Sequence, residues 1–235
     1  MRLMNMPNEN SVTDQTKNNF RILFPDYILE KQSNFDCNKE LLDVCKKVES
    51  KYENFAQTPD SVEGDERFFA TVGGYQTKQS TPFLNFKEKD GISKYDVSIL
   101  ERLQNEVLMP SFHKFIEDAD YKFDNADLLT KSWFVKYDKN SFQELHTHGD
   151  TILTQVYFVK VPKDLKFIGT QPYRHEGSLV ISNTKTDWNG LRTAYIKPEE
   201  GKLVMFPAEY PHYTLPIISN DERYVIVQDI FLKKI

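Results

Sequence analysis

With 235 residues, 39% of them hydrophobic, the chain can bury a sizeable core as one domain, and its 13% aromatic content, mostly Phe and Tyr, favours pleated surfaces. A net charge of −5, without a long basic run, lacks the electrostatic footprint of a duplex-binding protein. No run of eighteen apolar residues could span a membrane, and the two cysteines, Cys37 and Cys45 on one predicted helix, argue against a disulfide framework and fit a reducing cytosol.

Residues 1–19 are polar, aperiodic and without an apolar core segment, which predicts a flexible N-terminal tail rather than a signal peptide. Phe20 to Leu29 is apolar enough for a strand, interrupted by Pro25. Leu41, Leu42, Cys45, Val48, Tyr52 and Phe55 then recur at helical steps, with Asn38 as a plausible cap. Residues 58–82 mix turn residues with Phe68, Phe69, Tyr75 and the Gly73-Gly74 pair, and read as a connection in preference to a lid. A second helix is written in Ile99, Leu100, Leu103, Val107 and Leu108, ends at Pro110, and resumes with Phe112, Phe115 and Ile116. From Lys131 the pattern changes to short apolar or alternating runs, SWFVKY, TQVYFVKV, KFIG, SLVIS, RTAYIK, KLVMFP and RYVIVQDIFL, parted by Gly, Pro, Asn and Asp. That spacing predicts antiparallel strands in a sandwich or barrel. The expected organisation is a single domain over residues 20–235, with 20–130 as helical support and substrate loops and 131–235 as the β core.

Only five histidines are present, and two fall in ELHTHGDTILTQVYFV, just before an apolar strand. Residues two apart on a strand share a face, so His146, His148 and Asp150 can converge if the extended conformation persists through Gly149. His212, after the apolar run KLVMFPAEYP, is the candidate third ligand from another strand. His113, in a helical pattern, and His175, in the polar loop QPYRHEG, read as solvent-facing or structural. Two neutral imidazoles and a carboxylate leave three adjacent coordination positions free, which suits iron(II), whereas a closed tetrahedral zinc site would typically bring cysteines.

The segment from Ser132 to Ile230 resembles the double-stranded β-helix of iron(II)- and 2-oxoglutarate-dependent oxygenases, whose pattern is His-x-Asp/Glu, a distant His, and an Arg about ten residues later. WFVKYDKNSFQELHTHGDTILTQVYFVKVP and GKLVMFPAEYPHYTLPIISNDERYVIVQDI carry the likeness, which is strongest to small bacterial and phage oxygenases. The resemblance implies a jelly-roll core with N-terminal helices on its major sheet. It implies iron(II) and 2-oxoglutarate as cofactors and molecular oxygen as co-substrate. It also implies hydroxylation of a protein side chain, nucleobase or small metabolite, coupled to decarboxylation of 2-oxoglutarate to succinate. Arg223 then anchors the distal carboxylate through its planar fork, and Tyr157 resembles the family's second contact to 2-oxoglutarate. Two ligand sets stay open. His148, Asp150 and His212 is preferred because a carboxylate usually partners two histidines, and His146 in place of Asp150 is the alternative. Lys136 and Tyr137 read as an exposed lysine beside a packed tyrosine, and Trp133 and Phe134 as core. Two other classes fit the pattern: a cupin-type metalloenzyme that uses no 2-oxoglutarate, and a non-catalytic jelly-roll module. Substrate identity and oligomeric state have no legible code.

Overall fold

The computed structural model describes residues 18–23, 26–56, 70–79, 83–119, 128–187 and 190–232. Residues 1–17 of the predicted tail, and 57–69 and 80–82 of the predicted connection, lie outside the described residues.

The stretch read as one interrupted strand forms two, β1 (Asn18–Leu23) and β2 (Asp26–Gln32), paired antiparallel with Phe20 opposite Leu29. Helix α1 (Asn38–Glu49) follows, burying Leu41, Val44, Cys45 and Val48. Its N-cap position is Cys37 rather than Asn38. The Asn38 side chain instead links helix to sheet, donating to the Val159 carbonyl and accepting from the Tyr157 hydroxyl at 3.1 Å. The short strands β3 (Thr71–Val72) and β4 (Tyr75–Gln76) belong to different sheets, and Gly73 and Gly74, both at φ +69°, carry the chain between them. A Cβ on Gly74 would collide with the Lys136 carbonyl oxygen, so glycine is required there on two counts.

Helix α2 (Lys94–Arg102) starts at a capping box in which Ser93 accepts from the Asp96 backbone N–H. The chain passes through a π-helical turn at Leu103–Leu108 into α3 (Met109–Asp118), so the helix does not end at Pro110. Proline lacks an N–H and its ring crowds the carbonyl four residues back. The wider π turn just before it supplies the adjustment.

Eight further strands complete the fold: β5 (Leu128–Tyr137), β6 (Phe142–His146), β7 (Leu153–Lys160), β8 (Leu179–Asp187), β9 (Gly190–Ile196), β10 (Lys202–Pro207), β11 (His212–Thr214) and β12 (Arg223–Leu232). The larger sheet runs β1-β2-β10-β7-β12-β5-β4 and the smaller β3-β6-β11-β8-β9, every pairing among the described residues being antiparallel. KFIG, expected as a strand, makes only one isolated bridge, Phe167 to His175.

Alternation sorts the larger sheet into two buried faces. Trp133, Val135, Val156, Phe158, Val225 and Val227 face the smaller sheet, whose Leu179, Ile181 and Ile196 meet them. Phe134, Tyr157, Val159, Tyr224 and Ile226 face α1 and α2. Fully burying one such side chain contributes roughly 1.5–3 kcal/mol. Burial on both sides explains why TQVYFVK is a nearly continuous apolar run rather than an alternating one. Two facing antiparallel sheets with helices on the larger constitute the double-stranded β-helix expected from the sequence, and the ends of β6, β11 and β12 meet in the space between them.

Candidate metal centre

His146 closes β6 and His212 opens β11, and the register of these strands sets the two opposite each other. His148 lies in the turn beyond β6, where its N–H donates to the Ala208 carbonyl at 3.0 Å and its own carbonyl accepts from Thr151 N–H at 3.2 Å. The three rings gather closely, with centroids 4.2 Å apart for His146 and His212, 4.9 Å for His148 and His212, and 5.1 Å for His146 and His148. Their potential ligand nitrogens all lie within 4.8 Å of one another.

Each imidazole has its Nδ1 committed to an oxygen acceptor. His146 Nδ1 donates to the Glu144 carbonyl at 2.7 Å, His212 Nδ1 to the Tyr210 carbonyl at 2.9 Å, and His148 Nδ1 to the Asp229 carboxylate at 2.7 Å. An acceptor requires the N–H tautomer at Nδ1, which leaves three Nε2 lone pairs pointing into the cluster. His146 Nε2 and His148 Nε2 are only 3.1 Å apart, a separation at which two lone pairs need a proton or a cation between them. A proton is disfavoured. Burial, with the neighbouring imidazoles, pushes the pKa of His146 down to about 4 and that of His212 well below its ordinary value.

Arg223 begins β12 and is almost completely buried. Its guanidinium stacks over Tyr137 at 4.7 Å and Phe158 at 4.9 Å, while Nε and Nη1 have no hydrogen-bond partner. Burial pulls its pKa down to about 10, so it remains charged at neutral pH. Among the described residues no carboxylate pairs with it. A narrow inner cavity lined by Arg223, Tyr137, Thr214, His148 and His212 joins this unpaired cation to the histidine cluster. Gly177, at φ +66°, backs the arginine: a Cβ there would come within 3.0 Å of Arg223 Cδ and 2.9 Å of Ile217 Cδ1. An orphaned buried guanidinium beside a three-imidazole donor set fits a small dianion and a divalent cation.

Residues 131–229 match a family model described as "Putative 2OG-Fe(II) oxygenase". This segment belongs to the 2OG-Fe(II) oxygenase superfamily. No curated protein matches the chain. Among solved structures, the oxygenase resembles a prolyl-4-hydroxylase from Pseudomonas putida at 15% identity, covering 88% of this chain and 93% of that one with a TM-score of 0.54. It likewise resembles AviO1 from Streptomyces viridochromogenes at 13% identity, covering 88% and 90% with a TM-score of 0.57. A prolyl hydroxylase from Trichoplax adhaerens, solved with a hypoxia inducible factor peptide fragment, follows at 15% identity, 87% and 83% coverage and a TM-score of 0.53. At these identities the likeness establishes the shared fold.

The structure places several of the candidate residues differently from the sequence expectation. Asp150 is exposed at the rim of a larger outer cavity of about 510 Å³ and stands outside the cluster, where His146 takes the third place. The reason is local, because the extended conformation ends at His146 and Gly149-Asp150 form a turn, so alternation no longer carries Asp150 to the histidines' side. Tyr157 faces α1 and the helix layer, away from Arg223. Tyr137, read from sequence as merely packed, faces Arg223, and its hydroxyl is within hydrogen-bonding reach of Arg223 and Thr214. Lys136 is not exposed, its ammonium lying 2.7 Å from Glu49 and 3.3 Å from Asp138. Trp133 is core, as expected, but also forms a wall of the outer cavity, its ring 5.6 Å from that of His148. His113 is exposed and His175 stacks on Phe167, both remote from the cluster. Sequence reasoning passed over Asp229, although the two-residue period from Arg223 through Val225 and Val227 assigns it to the inner face.

Proposed function

We propose that the oxygenase is a hydroxylase in which His146, His148 and His212 hold iron(II) through Nε2, and Arg223 holds the distal carboxylate of 2-oxoglutarate. The observation that carries this reading is the convergence of three Nε2 lone pairs beside a buried arginine with unsatisfied N–H groups. When bound, the metal and cosubstrate supply the oxidising power that inserts oxygen into a C–H bond as 2-oxoglutarate becomes succinate.

The chain's own residues divide the remaining tasks. Carbonyls of Glu144 and Tyr210 and the Asp229 carboxylate fix the ligand tautomers. Arg223 presents a planar fork of donors to a carboxylate, with Tyr137 and Phe158 restricting its swing. The outer cavity, walled by Trp133, Gln76 and Gln143 and adjoining His146 and His148, receives the substrate. The inward-facing Arg223 favours this reading over a cupin-type enzyme that uses no 2-oxo acid. Both cysteines are free thiols and no helix among the described residues is long and apolar enough to cross a membrane, which supports action in the cytosol.

The test is an anaerobic titration of the iron(II) protein with 2-oxoglutarate, followed by the metal-to-ligand charge-transfer absorption. Wild type should develop the band and saturate, and Arg223→Ala should not do so at the same concentrations. Equal binding by a folded Arg223→Ala variant would remove Arg223 as the anchor.

A further inference from the structure

Asp229 is almost fully buried, and the donors that reach it among the described residues are His148, Thr151 and Thr154. It occupies the third inward position of β12 after Arg223, and its carboxylate accepts from His148 Nδ1–H at 2.7 Å, Thr154 Oγ1–H at 2.8 Å and Thr151 Oγ1–H at 3.3 Å. Among the described residues no lysine or arginine forms an ion pair with it. Lys131, its register partner on β5, instead lies over the Phe231 ring at 4.8 Å. A buried carboxylate carries a desolvation cost that a nearby positive charge offsets.

Three neutral imidazoles bring no charge to a divalent cation, whereas a ligand set containing a carboxylate brings one negative charge. The structure supplies that charge one residue further back. We propose that Asp229 is a positioning residue that provides the negative charge of a three-histidine site from behind His148, holding its Nε2 toward the cluster. The inference rests on the reading of His148 as a metal ligand. It makes Asp229 a source of metal affinity through its charge as well as through its hydrogen bond to His148.

Two substitutions separate these roles. Asp229→Asn keeps an oxygen acceptor for His148 and removes the charge, while Asp229→Ala removes both. Mn(II) affinity by titration calorimetry should fall about tenfold in Asp229→Asn and up to roughly a hundredfold in Asp229→Ala. The thermal midpoint of the metal-free Asn variant, in chelator, should equal or exceed that of wild type. An Asn variant with wild-type Mn(II) affinity would overturn the proposal. So would an Asn variant whose metal-free midpoint drops, since Asp229 would then be a structural residue whose loss weakens binding through the fold. A wild type that takes up no Mn(II) would overturn the ligand reading and this inference together. Normal wild-type binding beside an unaffected Asn variant would overturn the role of Asp229 alone.

Discussion

Tyr137 and Tyr157 are both buried tyrosines on strands of the same sheet, and the face each presents sets Tyr137 beside Arg223 and Tyr157 beside α1. Removing the Tyr137 hydroxyl beside Arg223 deletes one hydrogen bond, worth about 0.5–1.5 kcal/mol. Tyr137→Phe should therefore weaken 2-oxoglutarate binding to the Mn(II) protein roughly two- to tenfold by calorimetry. Tyr157→Phe should leave that affinity unchanged while lowering unfolding stability by about 1 kcal/mol through loss of the bond to Asn38. The opposite pattern would place the cosubstrate on the wrong side of the sheet. Sequence alternation groups Gln155 with Tyr157 correctly but cannot say which face is inner, because β7 is buried on both sides and its apolar residues mark neither. The His-x-His spacing and the distant His212 were legible. Whether the backbone stays extended through Gly149 was not, since that depends on the turn joining β6 to β7, and it decides between His146 and Asp150.

At the scale of elements, hydrophobic periodicity located α1, the α2 to α3 helix and most strands of the β core, and it failed where tertiary contacts override local preference. Pro110 reads as a helix end, but a π turn and packing of Leu103, Val107, Leu108 and Phe112 carry the helix past it. That π turn also presents Gln104, whose side-chain oxygen accepts from Gln228 at 2.7 Å, and Gln228 in turn accepts from Gln155 at 3.3 Å. This buried amide chain ties the helix to β12 and β7, the strands that deliver Arg223, Asp229 and Thr154. Gln104→Ala would leave the Gln228 amide without its acceptor and should cost about 1–2 kcal/mol in urea unfolding, with the metal affinity of the folded protein retained. Unchanged stability would show that the amide chain contributes nothing to docking the helix.

For the whole molecule, burying two histidines in their neutral form makes folding sensitive to acid. Folded-state pKa values below the unfolded one mean that the unfolded chain binds more protons as pH falls. Stability is therefore fully present above about 6.5, the unfolded-state value, and is lost progressively toward the folded value, about 4 for His146 and lower for His212. For His146 alone the span is worth about 3 kcal/mol at most, at roughly 1.4 kcal/mol per pH unit. Urea unfolding of the metal-free protein between pH 7 and pH 4 should register this decline, and a His146→Gln variant should show a shallower one. A divalent metal, binding only the folded state, should raise stability by about 2.7 kcal/mol at a hundredfold excess over its Kd. The antiparallel β core and the candidate histidines follow from strand periodicity and spacing, and Arg223 from the resemblance to the oxygenase pattern, while the choice of third ligand and the neighbour of Arg223 needed the two sheets brought face to face.

The most direct test of three-imidazole convergence is metal stoichiometry after anaerobic iron(II) loading and desalting, compared for His146→Ala and Asp150→Ala. Asp150→Ala should retain one iron per chain, as wild type should, and His146→Ala should lose most of it. Retention by His146→Ala with loss from Asp150→Ala would contradict the site described and restore the carboxylate as the third ligand.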